Sequence, residues 1–169
     1  MTTAANTQKT RTSALPTQRA FTASPELEAS LQRVLVDLIA LHLDGKQAHW
    51  NVVGANFRDL HLQLDEIVDV AREHSDTVAE RMRALYAVPD GRPTTVAETT
   101  SLPLLLPGEQ NTTEVVNTIT DLLHRAAATV REVHDTVDAE DPSTADLLHT
   151  VIHDLEKQAW MISAENRRA

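Results

Sequence analysis

The chain has 169 residues, no cysteine and a formal net charge of -10. That length suits one domain with a sizeable core. The missing thiols exclude a disulfide framework, a thiolate metal site and a cysteine nucleophile, and no apolar run approaches the roughly eighteen residues of a membrane span.

Residues 1–24 are rich in Thr, Ala, Ser and Gln and carry Lys9, Arg11 and Arg19 with no acid. They lack the apolar centre of a signal peptide and read as a flexible, weakly basic tail, so the expected location is the cytoplasm. The body, 25–169, opposes twelve basic to twenty-five acidic side chains, a balance of -13. Such a surface attracts cations and repels phosphate backbones.

Ser24, Pro25 and Glu26 signal a helix start. From there Leu27, Leu31, Val34, Leu35, Leu38, Leu41, Gly45, Ala48 and Val52 recur at three and four, predicting a long amphipathic helix. A break at Val53-Gly54-Ala55-Asn56 precedes a second helix, about 56–86, with Leu60, Leu64, Ile67, Ala71, Val78, Met82 and Leu85 on its core stripe. Pro89, Gly91 and Pro93 end it. Residues 87–110 hold four of the seven prolines and form a long connection, with a short helix expected around Thr95 to Thr100. Two further helices follow, about 112–137 and 142–165. Four long helices with one long crossover describe an all-α, ferritin-like bundle.

His61 and Asp65 are four apart, as are Asp76 and Glu80, so each pair projects side by side from one helix. The eleven residues from Asp65 to Asp76 return to nearly the same face about 16 Å along the axis, too far for one ion to bind both pairs. If Gly54 and Asn56 reverse the chain, His49 faces His61 and Asp65 across a helix pair. Asp76 and Glu80 then face Leu31, Val34 and Leu35, which bind no metal. A two-fold related copy would complete the set twice, at two equivalent sites. The ordinary reading is a packed histidine and a solvated acidic face, and spacing alone does not decide between the two.

The stretch KQAHWNVVGANFRDLHLQLDEIVDVAREHSDTVAERM, 46–82, resembles the Dps proteins, small ferritin-like proteins of starved bacteria. The resemblance rests on H-W-N-V-x-G followed by Phe57, then H-x-x-x-D-E and D-x-x-x-E, and extends over about 26–165. It implies a hollow shell of twelve identical subunits that oxidises iron(II), preferably with hydrogen peroxide rather than dioxygen, and stores iron(III) as a mineral. It also implies sites at two-fold interfaces, with His49, His61 and Asp65 from one subunit and Asp76 and Glu80 from its partner. Imidazole with carboxylate suits iron and leaves open positions for an oxidant, and zinc would act there as an inhibitor.

Trp50, beside His49, is read either as an electron-hole trap or as an interface anchor, and Trp160 as a packing residue. Glu140, Asp141 and Asp146 are pore candidates at a three-fold axis, Asp146 first, with helix capping as the plainer account. Asp121-Leu-Leu-His124 and Asp146-Leu-Leu-His149 look like weakened Glu-x-x-His pairs, but the glutamates a within-bundle iron site needs are missing. His42, His74, His134 and His153 have no evident partners and are read as structural or exposed. Other readings remain beside the ferroxidase. One is a nucleoid-associated protein binding DNA through Lys9, Arg11, Arg19, Arg167 and Arg168, where many copies multiply weak contacts. The others are an inert shell, or a metal-dependent amide hydrolase using paired ions to activate water.

Overall fold

The computed structural model describes residues 21–167. The basic residues of the expected tail, together with Arg168, lie outside them. Helix α1 (Pro25–Asn51) starts where the Ser24 hydroxyl accepts the Leu27 amide at 3.1 Å. That cap is itself held, because the Ser24 amide and hydroxyl both donate to Glu140, at 2.8 and 2.5 Å. The entry of α1 is thereby tied to the far end of α4.

The chain turns at Gly54 (φ 120°) and Asn56 (φ 61°), both in conformations that a side chain on Cβ disfavours. Helix α2 (Phe57–Ala84) then returns along α1. Its end lies two residues inside the expected limit and has a cause the prolines do not reveal. Tyr86 adopts a left-handed φ of 63°, and the Ala87 amide reaches back to the Met82 carbonyl at 2.9 Å, closing the last turn.

The crossover contains α3 (Pro93–Thr99), close to the short helix expected. Helices α4 (Thr112–Glu140) and α5 (Pro142–Ser163) complete the bundle, and a 3-10 turn covers Ala164–Asn166. Helix α1 packs against α2 and α4, and α5 against α4 and α2. Helices α2 and α4 thus occupy opposite corners, which is why the segment joining them must cross the bundle. Every apolar position named on the two expected stripes is buried. No strand was expected, yet Val52 and Val53 pair in parallel with Gln110 and Asn111, linking the α1/α2 turn to the start of α4. No helix of the described residues is long and apolar enough to cross a membrane.

The crossover is fixed by a buried carboxylate. Asp37, 2% exposed, accepts from the Thr100 hydroxyl at 2.8 Å, the Ser101 amide and hydroxyl at 2.7 and 2.6 Å, and the Thr129 hydroxyl at 2.7 Å. Four donors satisfy one buried charge. Asp37→Ala strands all four and is expected to lower stability by about 2–4 kcal/mol. Urea unfolding reads the loss, and limited proteolysis should newly cut near Thr100 to Leu105. An unchanged urea midpoint would show that the crossover is held by something else.

Candidate metal centre

Gly45 lets α1 and α2 approach at the relevant level: a Cβ there would stand only 3.0 Å from Val68 Cγ2. One turn towards the hairpin, His49 and His61 stack with ring centroids 3.7 Å apart and planes 22° apart. Each ring bonds to the other residue's backbone. His49 Nδ1 lies 2.9 Å from the His61 carbonyl, and His61 Nδ1 lies 3.0 Å from the His49 carbonyl. A carbonyl only accepts, so Nδ1 carries a proton in both rings, which leaves Nε2 as the nitrogen that offers a lone pair when the ring is neutral. That is the tautomer a metal-binding imidazole requires. Phe57 lies against His61 with centroids 5.1 Å apart.

Asp65, on the next turn of α2 from His61, stands 3.3 Å from His49 Nδ1. Its carboxylate is already engaged by Lys46 Nζ at 2.5 Å. The bonded ammonium outweighs partial burial and holds the Asp65 carboxyl below its usual range. It therefore stays ionised at neutral pH. Lys46 was not among the expected site residues, although its place three residues before His49, on the same face of α1, made the contact foreseeable.

The structure brings His49, His61 and Asp65 together and leaves Asp76 and Glu80 apart. Both lie further along the unbroken α2, both are exposed, and neither makes a hydrogen bond or ion pair among the described residues. Asp76 opens into a cavity of about 680 Å³ bordered by Leu35, Ile39, His42 and Arg72. Among the described residues, no three His, Asp or Glu side chains converge where an ion would sit. One chain thus presents two nitrogen donors and a carboxylate at one place, and two open carboxylates at another.

The remaining expectations separate clearly. Glu140 binds Ser24, and Asp141 accepts from Arg81 at 2.6 Å and from the Thr144 hydroxyl. Burial pushes the Asp141 carboxyl up, but its bonds to Thr144 and Arg81 hold it below its usual range. Both acids therefore join helix ends within the chain. Asp146 alone of the three is well exposed and ties no second helix, its nearest basic group being His149 Nδ1 at 3.8 Å on its own helix. The weakened Glu-x-x-His pairs point outward: Asp121 binds Arg125 at 2.7 Å, and His124 and His149 are exposed. His74, read as unpartnered, is buried against Asp154 at 3.0 Å. Trp50 and Trp160 are 67% and 63% exposed, so neither packs within its own chain.

Residues 28–168 match the ferritin-like domain family. The chain is 34% identical over 165 residues to DNA protection during starvation protein 2 of Deinococcus radiodurans, covering 93% of this chain and 68% of that one. It is 33% identical over 137 residues to the DNA protection during starvation protein of Brevibacillus brevis, covering 79% and 90%. The solved structure of Dps from Microbacterium arborescens in its high iron form superposes with a TM-score of 0.79 at 33% identity, covering 86% of this chain and 98% of that one.

Lys46 and a cation compete for the same Asp65 oxygens. Lys46→Gln is expected to raise the affinity of the assembled protein for Co2+ by up to about fivefold, since a partly exposed ion pair contributes at most ~1 kcal/mol. Anaerobic titration followed by cobalt absorbance measures it. Equal or weaker binding would mean that the lysine does not compete.

Proposed function

The chain belongs to the ferritin-like family and, within it, to the Dps proteins, and from that premise we propose that it oxidises Fe(II) and stores the Fe(III) product inside a hollow dodecamer of identical subunits. The iron site is shared: His49, His61 and Asp65 bind from one side, and Asp76 and Glu80 of the partner subunit from the other. The observation that carries this reading is the pair of reciprocally bonded imidazoles. Each is fixed with its lone pair free, beside an ionised carboxylate, on a chain that supplies no further donor at that point.

Iron is the substrate. Imidazole and carboxylate donors suit it while leaving positions open to an oxidant. Hydrogen peroxide is the preferred oxidant: two Fe(II) give one electron each, two protons are taken up, the O–O bond breaks and two waters form. No hydroxyl radical is released, because both electrons arrive at one peroxide. Each Fe(III) then hydrolyses to an oxyhydroxide, giving up three protons, and leaves as mineral. Within this scheme the bonds from Nδ1 to the carbonyls keep both rings from turning, and Lys46 holds Asp65 in place until a cation displaces it. The acidic body concentrates cations at the surface, and Asp146 is the best placed of the acids to lead them inward. DNA is protected by removal of both reagents.

The relatives are DNA protection during starvation proteins, which also supports a second reading, in which the basic residues of the tail hold DNA against a shell. The folded body repels DNA by its charge, so at low salt the full chain should retard a linear duplex in a gel and a chain lacking residues 1–20 should not. Retardation by the shortened chain would move DNA binding to the body.

The shared site has a decisive test. Chains with His61→Ala and Asp65→Ala, and chains with Asp76→Ala and Glu80→Ala, should each assemble and each fail to oxidise Fe(II) rapidly after peroxide addition. Co-assembled, a mixed two-fold pair holds one intact site and one doubly damaged site, so random mixing should restore about a quarter of wild-type turnover. No recovery in mixed shells of normal mass would refute the shared site.

A further inference from the structure

His134 on α4, read from sequence as a residue without partners, and His149 on α5, read as part of a weakened Glu-x-x-His pair, face each other. Asp141 separates the helices, His134 lies seven residues before it and His149 eight after, so the antiparallel pair brings both to one level. Their rings stand 4.4 Å apart, centroid to centroid, tilted by 31°. We propose that they form a binding site for a late first-row divalent cation such as zinc, on the α4/α5 hairpin rather than at the α1/α2 hairpin.

Three observations point to a cation. The first is that His134 Nε2 is buried and has no hydrogen-bond partner among the described residues, an unusual state for a ring nitrogen. The second is that each ring has a carboxylate on its Nδ1 side: Asp135 Oδ1 at 3.5 Å from His134 Nδ1, and Asp146 Oδ1 at 3.8 Å from His149 Nδ1. Acids so placed favour the proton on Nδ1 and a lone pair on Nε2, the arrangement that orients metal-binding imidazoles. The third is a cleft of about 160 Å³ bordered by Arg131, His134, Asp135, His149 and Ile152. The one cation there is neutralised, because Arg131 is bonded to Glu156 at 2.6 Å.

A zinc ion about 2.0–2.1 Å from each of two imidazole nitrogens sets them roughly 3.3 Å apart. Rings already in contact reach that by rotation about χ2, a soft torsion in histidine. Water completes the coordination, since His149 remains open to solvent. Two imidazoles favour copper, nickel and zinc over Fe(II) and magnesium, so this pair selects a different metal from the carboxylate-rich site proposed for iron.

The test is zinc titration of the full-length assembled protein, with bound zinc counted per chain, in wild type, His134→Gln and His149→Gln. Each variant should bind one zinc fewer per chain than wild type. Beyond the cobalt absorbance of the α1/α2 site, Co2+ should give wild type a further increment that both variants lack, while peroxide-driven Fe(II) oxidation stays unchanged in all three. His149 is exposed, so His149→Gln should keep wild-type thermal stability and shell mass and thus decides the matter on its own. Wild-type zinc stoichiometry in His149→Gln overturns the proposal, and does so independently of whether the iron site is correctly assigned.

Discussion

Two imidazoles bonded to each other's backbone carbonyls set the geometry of the whole α1/α2 hairpin. The bonds from His49 to the His61 carbonyl and back fix the axial register of the two helices to within a fraction of a turn. A slip of one residue would break both and leave one buried and one half-buried ring unpaired, at a cost of about 1–3 kcal/mol for each orphaned group. The register depends in turn on two backbone permissions. Gly45 lets the helices close on each other, and the left-handed Gly54 and Asn56 return the chain within a few residues. Register, tautomer and the direction of the free nitrogens all follow from one reciprocal contact.

The parts of this arrangement that the sequence reveals are those governed by local period. Apolar residues at three and four fix the buried face of each helix, so all the expected core positions are inside. The same period puts His61 beside Asp65 and keeps Asp76 about three turns away, which is why half-sites could be read without coordinates. What stayed hidden depends on partners distant in sequence. Asp37 looks like a polar interruption of an apolar stripe, because its donors Thr100, Ser101 and Thr129 lie 63 to 92 residues on. His134 looks alone because its neighbour lies on the next helix, and Tyr86 ends α2 through a backbone conformation that its side chain does not announce. Lys46 stayed hidden for another reason: a cation that competes for a ligand carries no ligand signature of its own.

The open carboxylates and the exposed apolar groups belong to one physical problem. Leu43, Trp50, Phe57, Leu62, Tyr86, Val88 and Trp160 are each more than two-fifths exposed, and all but Trp160 lie on α1, α2 or the segments that bound them. A chain of this charge does not leave so much apolar surface on one hairpin without a partner for it. In the proposed assembly that surface provides the association energy, while Asp76 and Glu80 provide no favourable contact until a cation reaches them. On that proposal, apolar burial would hold two subunits together and the metal would neutralise the acids that the interface brings close.

That division has a consequence for how the shell tolerates its own charge. A body with thirteen excess acids repels a copy of itself, and the repulsion grows as more copies gather. That excess already allows for the acids paired internally, since Asp65, Asp141, Asp121 and Glu156 each hold a cation within the chain. Those that remain, Asp76, Glu80 and Asp146 among them, are the ones with no such counter-ion. Incoming iron relieves the repulsion that assembly creates, so on this reading substrate binding and subunit association reinforce each other. By reciprocity of linkage, a shell that is tighter with iron must also bind iron more tightly than its separated parts.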